Sequence, residues 1–188
     1  FSPKKFIHEP NEKSNVGWSN VQLSPLNIPI IRYADVILML AEAEIEVGSL
    51  DRAKELTNMV RERAAGCAIN GAGASTSDIA DSSITWASYD VKPYTAAWTS
   101  KDVARSAVRF ERRIELALEG QRFFDLVRWG IAEDVINNDY LPVERTKRDY
   151  LIPSGGFLPK HNLHPLPNNQ IELSKVDGEA TLKQNPGY

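Results

Sequence analysis

Seven charged residues, Glu111, Arg112, Glu115, Glu119, Arg122, Asp125 and Arg128, crowd into one short stretch of a 188-residue chain. Paired carboxylates there could act as a general acid and base. The spacing argues otherwise. Arg112 and Glu115, Glu119 and Arg122, Arg122 and Asp125, and Asp125 and Arg128 are each three apart, so a helix brings opposite charges together. A cation beside each acid lowers its pKa and leaves it a poor proton donor, and the set reads as a structural charge network. His161 and His164 have the separation of two metal ligands on a helix, but they sit in a Pro-rich stretch with no nearby Cys or carboxylate pair, and no metal site is expected there. Cys67 is the one cysteine and has no partner for an internal disulfide. GxSxG, GxxxxGK[ST] and HExxH are all absent from the sequence, which gives no support to hydrolase or phosphate-loop chemistry, to a cofactor, or to an enzyme.

The second possible chemistry is stacking. Trp86, Tyr89, Tyr94 and Trp98 cluster in residues 66–98, and Trp18 stands in the amino-terminal stretch. Tyr and Trp combine a flat apolar face with a polar edge, which suits sugar rings and their hydroxyls. The same rings could instead clamp the loop onto neighbouring helices, and residue type alone leaves both readings open.

The elements that would position these groups follow from periodicity. Val103, Ala107, Phe110, Ile114 and Ala117/Leu118 recur at helical spacing and predict a helix with that stripe on a core, capped by Thr99 with Asp102 and closed at Gly120. Residues 121–129 start a second apolar and charged segment. Upstream, Pro29 opens a helix carrying Ile30, Tyr33, Ala34, Ile37, Leu38, Ala41 and Ile45 on one side. Val36 to Ala41 is apolar all round and calls for cover on more than one side. Glu42, Glu44 and Glu46 have the wrong sign for that helix's C-terminus, so arginines from elsewhere should meet some of them. After Gly48, residues 49–65 form a second helix with Leu50, Ala53, Leu56, Met59/Val60 and Ala64 in line, packed antiparallel to the first. Leu40, Ala41, Gly48 and Ala53 fall where a tetratricopeptide-type hairpin has its small and apolar residues, although Thr57 and Ala65 depart from that pattern.

The chain thus divides into an irregular arm (1–29), a tetratricopeptide-like hairpin (30–65), an aromatic loop (66–98), a helical core (99–139, with IAEDVINN as a short helix) and a loop-rich carboxy-terminal segment (140–188). At 42% hydrophobic and 25% charged the composition is that of a globular domain. Lys and Arg are interleaved with acids and the net charge is −3, so nucleic acid is not an expected partner. No apolar run approaches the roughly 20 residues that span a bilayer. The first residues do not read as an export leader, so either a leader has been removed or the chain is a fragment.

IIRYADVILMLAEAEIEVG, RERAA, ERRIELALEGQRFFDLVRWG, LHPLPNNQIEL and QNPGY, in that order, resemble the carboxy-terminal half of the SusD/RagB family of outer-membrane lipoproteins over residues 28–188. The resemblance implies a mostly α fold with tetratricopeptide-like hairpins and long irregular loops. It further implies a protein lipid-tethered to the cell surface that captures oligosaccharides and passes them to a SusC-like TonB-dependent transporter, without catalysis. The family's lipid-bearing cysteine, export signal and amino-terminal half are not in this sequence, and Cys67 is not the anchor. The shared motifs mark the scaffold and assign no sugar contact to any single residue. A helical module that binds its transporter and has no ligand of its own is the rival expectation.

Overall fold

The computed structural model describes residues 29–70 and 91–188, with side chains for all of these except 67–70. The described residues are mostly helical, and the chain forms two compact units, Phe1–Glu119 and Gly120–Tyr188.

Three helices build the first unit: α1 (Tyr33–Val47), α2 (Leu50–Asn70) and α3 (Lys101–Glu115). α1 begins four residues after Pro29, because Arg32 is extended and its carbonyl accepts the free N–H groups of Asp35 and Val36 at 3.0 and 3.3 Å. Ala34, Ile37, Leu38, Ala41 and Ile45 are buried as the spacing predicts, while Tyr33, Val36, Met39 and Leu40 are exposed. The expected cover of Val36 to Ala41 is therefore one-sided among the described residues. At the turn, the Glu44 carboxylate folds back over Gly48, where a Cβ would collide with it, and accepts the Ser49 N–H at 3.1 Å. Glu44 thus serves the positive start of α2 as well as sitting at the negative end of α1. Ser49 opens α2 by accepting the Arg52 N–H on its hydroxyl at 3.4 Å. Ala53, Leu56, Thr57 and Val60 are buried, and the Thr57 hydroxyl donates to the Ala53 carbonyl at 2.8 Å. α2 continues through Asn70, five residues beyond its expected end at Ala65, so Gly66 is tolerated inside a helix.

α3 departs from its sequence reading in three respects. Its cap is Ser100, whose hydroxyl accepts the Val103 N–H at 3.3 Å, and not Thr99. It ends at Glu115, not Gly120, and the chain turns through Leu118 and Gly120, both left-handed at φ 67° and 80°. Its buried face is Ala104, Val108, Glu111 and Arg112, whereas Val103, Phe110, Ile114 and Leu118 are exposed and Ala107 lies at the margin. The helix is thus turned away from the expected apolar stripe, because two buried charges on the other face find partners inside the unit. Around them lies the core of Ala34, Ile37, Leu38, Ala41, Ile45, Ala53, Leu56, Val60, Trp98, Ala104 and Val108.

The second unit opens with α4 (Gln121–Arg128), and Gly130 at φ 71° turns the chain into α5 (Ala132–Asp134). A π-turn over Val135–Tyr140 carries α5 into α6 (Leu141–Arg145), so the short helix expected at residues 131–138 runs on well past its predicted end. Leu126, Ala132 and Phe157 form the centre, packed by Phe123, Val127, Trp129, Ile131, Val135 and Ile136. Beyond lie α7 (Asn168–Leu173) and a hairpin of β1 (Lys175–Val176) against antiparallel β2 (Glu179–Ala180), turned by Asp177 and Gly178 at φ 51° and 86°. The QNPGY motif clasps the LHPLP motif. Gln184 brackets Leu166, accepting its N–H at 2.7 Å and donating to its carbonyl at 2.9 Å. Asn185 donates to the His164 carbonyl at 2.6 Å and the Tyr188 hydroxyl to that of Leu163 at 3.0 Å.

Candidate functional site

The charged groups of α3 reach far along the chain. Arg112 donates to Asp35 of α1 at 2.7 Å with both residues buried, and Glu42 lies 3.7 Å from its Nε. Glu111 accepts from Arg61 of α2 at 2.7 Å. Glu115 holds Arg32 at 2.8 Å and Arg63 at 2.6 Å, and Arg32 also reaches Glu119 at 2.8 Å. Of the pairs three residues apart, Asp125 and Arg128 meet at 2.8 Å, with the aspartate buried and the arginine exposed. Arg122 and Arg128 both lie over the Trp129 ring, at 5.8 and 5.0 Å from its centre. The acids of α1 find arginines as the sequence suggested: Glu42 through Arg112, and Glu46 through a two-point contact with Arg105 at 2.7 and 2.8 Å. Local spacing misses Arg32, Arg61 and Arg63 as partners. Their only trace in the sequence is an excess of acids on α1 and α3 that calls for cations from elsewhere.

Electrostatics follow burial. The Arg105 hydrogen bond holds the exposed Glu46 carboxyl below its ordinary value. Glu119's hydrogen bond raises the Arg32 guanidinium. Glu111 corrects the expectation that a neighbouring cation lowers each acid: burial pushes its carboxyl up, and the Arg61 contact offsets only part of that push. A raised carboxyl is what a general acid needs, but Glu111 is 2% exposed and bonded to Arg61, so no substrate atom reaches it.

The aromatic candidates separate. Trp98 is buried in the core, and Tyr94 stands edge-on to it, ring centres 5.7 Å apart, with the Arg61 guanidinium 4.5 Å over its ring. Burial also raises the Tyr94 hydroxyl. In this arrangement the Trp98 ring is a clamp and offers no face for a sugar. Trp18, Trp86 and Tyr89 lie outside the described residues, as does the Cys67 side chain. His161 accepts the Leu158 N–H on Nδ1 at 3.0 Å and stands edge-on to Phe157 at 5.5 Å, while His164 supplies its carbonyl to Asn185. The first unit also carries a pocket of about 350 Å³ floored by Ala34, Ile37 and Val60, edged by Tyr33 and Met59, with Arg32 and Arg63 at its rim. Both rim arginines are engaged by Glu115, so the pocket offers apolar contact more than free charge.

Fold and charge arrangement define a mostly α scaffold protein whose ionisable groups hold its own helices together. The chain belongs to the SusD family, whose model matches residues 1–188. It is similar to three proteins of Formosa agariphila: SusD-like protein P25 (29% identical over 85% of this chain and 24% of that protein), SusD-like protein P38 (30% over 72% and 23%) and SusD-like protein P2 (30% over 80% and 27%). The chain spans about a quarter of the length of these relatives.

Proposed function

We propose that this chain is part of a glycan-binding component of a nutrient-uptake complex, one that captures oligosaccharide at the outer-membrane surface and delivers it to a SusC-like TonB-dependent transporter. Membership of the SusD family carries the reading. In this reading a lipid anchor tethers the full-length protein to the membrane; no described helix is long and apolar enough to span the bilayer. The protein binds without transforming its ligand, in keeping with charged groups engaged in packing.

In this reading the sugar platform is drawn from Trp18, Trp86 and Tyr89, while Trp98 sits in the core with Tyr94 packed against it. Glycan-array screening of the full-length protein identifies the ligand, and calorimetry with it tests the platform. Replacing Trp86 by Ala should remove about 1–3 kcal/mol of binding, the scale of one large buried side chain, and leave the melting temperature unchanged. Unchanged affinity would remove Trp86 from the platform.

The exposed stripe of Val103, Phe110, Ile114 and Leu118 favours a second reading, a helical module that binds only its transporter. An array on which no glycan binds, together with retained transporter association, would select that reading.

A further inference from the structure

Residues 91–98 lie along α2 as an extended strap. Lys54, Asn58 and Arg61 stand at i, i+4 and i+7 of α2 and therefore share a face. They donate to the carbonyls of Ala96 at 3.4 Å, Tyr94 at 3.0 Å and Lys92 at 2.6 Å, alternate residues of an extended chain. Asn58 also accepts the Tyr94 N–H at 2.7 Å, so one side-chain amide satisfies both backbone groups of that residue. Trp98, in the core, seats the carboxy-terminal end of the strap.

The other end depends on Arg61. Its Nε binds the Lys92 carbonyl, its flat face covers the Tyr94 ring, and its Nη1 donates to Glu111 at 2.7 Å. Glu111 is 2% exposed, so the anion that orients Arg61 sits inside the unit.

We propose that Glu111 and Arg61 form an acid-released latch on the strap: protonation of the buried carboxyl frees Arg61 and with it residues 91–94, while Trp98 keeps the far end in place.

The direction follows from linkage. Burial raises the Glu111 pKa and Arg61 lowers it, with burial the larger influence. When Arg61 swings away, burial acts unopposed and the like charge of Glu115 adds to it, so the released form binds the proton more tightly than the latched form. Acid therefore favours release. α2 presents Arg61, and the strap presents Lys92 and Tyr94. Glu115, on the same helix, is held by Arg32 and Arg63. α1 contributes Asp35 and Glu42, both on Arg112.

Hydrogen exchange on the full-length protein tests the latch without any ligand. As pH falls from neutral towards the ordinary glutamate value of 4.5, the Tyr94 amide, which donates to Asn58, should lose protection after correction for intrinsic rate while the amides of α2 and α3 keep theirs. A one-unit difference in pKa between the two forms corresponds to a loss of roughly tenfold. Glu111→Gln should abolish the pH response. Arg61→Lys, which keeps the charge but not the planar three-way contact, should leave the Tyr94 amide open at every pH; this second variant keeps the test decisive if Glu111→Gln fails to fold. Constant protection in the wild type, or a pH response that survives in either variant, overturns the proposal.

Discussion

Arg112 is 2% exposed and bonded to an aspartate whose own exposure is 7%, so deleting either side chain strands a charge inside the first unit. Arg112→Ala should lower stability by about 3–5 kcal/mol, the range for breaking a buried pair. Denaturant midpoints measure it, and Asp35→Ala combined with Arg112→Ala should cost less than the sum of the two singles. Additive losses would show that the two residues act independently. Glu111 behaves differently with pH. Its folded-state pKa is raised, so its contribution to stability is fully present below the unfolded glutamate value of 4.5 and is lost as pH rises through the folded value. Glu111→Gln should therefore flatten the decline of stability just above pH 4.5; an unaltered profile would contradict the burial argument. At this scale the sequence showed that charges on α3 would be paired, because acids and arginines alternate. It could not show with whom. Arg112 and Asp35 are 77 positions apart, and Arg32 and Glu119 are 87, distances that no helical spacing encodes.

At the scale of the element, α1 and α2 were legible because Ala34, Ile37, Leu38, Ala41 and Ile45, and Ala53, Leu56 and Val60, are buried where the spacing puts them, although Tyr33 and Met59 of the same stripes are exposed. α3 was not, because it carries two candidate faces and periodicity ranks Val103, Phe110 and Ile114 above a face containing Glu111 and Arg112. The buried face is known only once partners from α1 and α2 are in place, which is tertiary information. The two faces are separable by substitution. Val108→Ala, in the core, should cost about 2 kcal/mol, within the range for burying a Val side chain, whereas Phe110→Ala in this chain should stay within about 0.5 kcal/mol of neutral. A large loss at Phe110 would mean that its ring is covered. After α3, Leu118 holds a left-handed backbone at φ 67° with its side chain exposed. Leu118→Gly should then raise stability by up to about 1 kcal/mol, since an L side chain costs roughly 1–2 kcal/mol in that conformation and glycine gives back part of the gain as unfolded-state entropy. Trp98 illustrates what sequence leaves open: ring type suited stacking and clamping equally, and only its place among Ala104, Val108 and Leu56 separates them.

For the whole molecule, the mostly α class and the family were legible from helical periodicity and from the order of motifs, and the clasp of QNPGY on LHPLP gives two of those motifs a joint physical role. Val36, Met39, Leu40, Val103, Phe110 and Ile114 of the first unit are exposed, apolar surface of the kind through which chains associate. Light scattering on residues 1–188 should show concentration-dependent association, reduced by the pair Phe110→Glu and Ile114→Glu; a monomer at every concentration would show that the surface is satisfied within the chain. The reach of the α3 ion pairs bears on the order of events during folding. α1 and α2 are joined by a two-residue turn and collapse through local contacts, whereas α3 docks only by closing loops of 50 to 87 residues. The hairpin should therefore be in place when the rate-limiting barrier is crossed, with Arg112 and Arg32 still searching for their carboxylates. Weakening those pairs would then speed unfolding far more than it slows folding, so the network's contribution is to how long the native unit persists once formed.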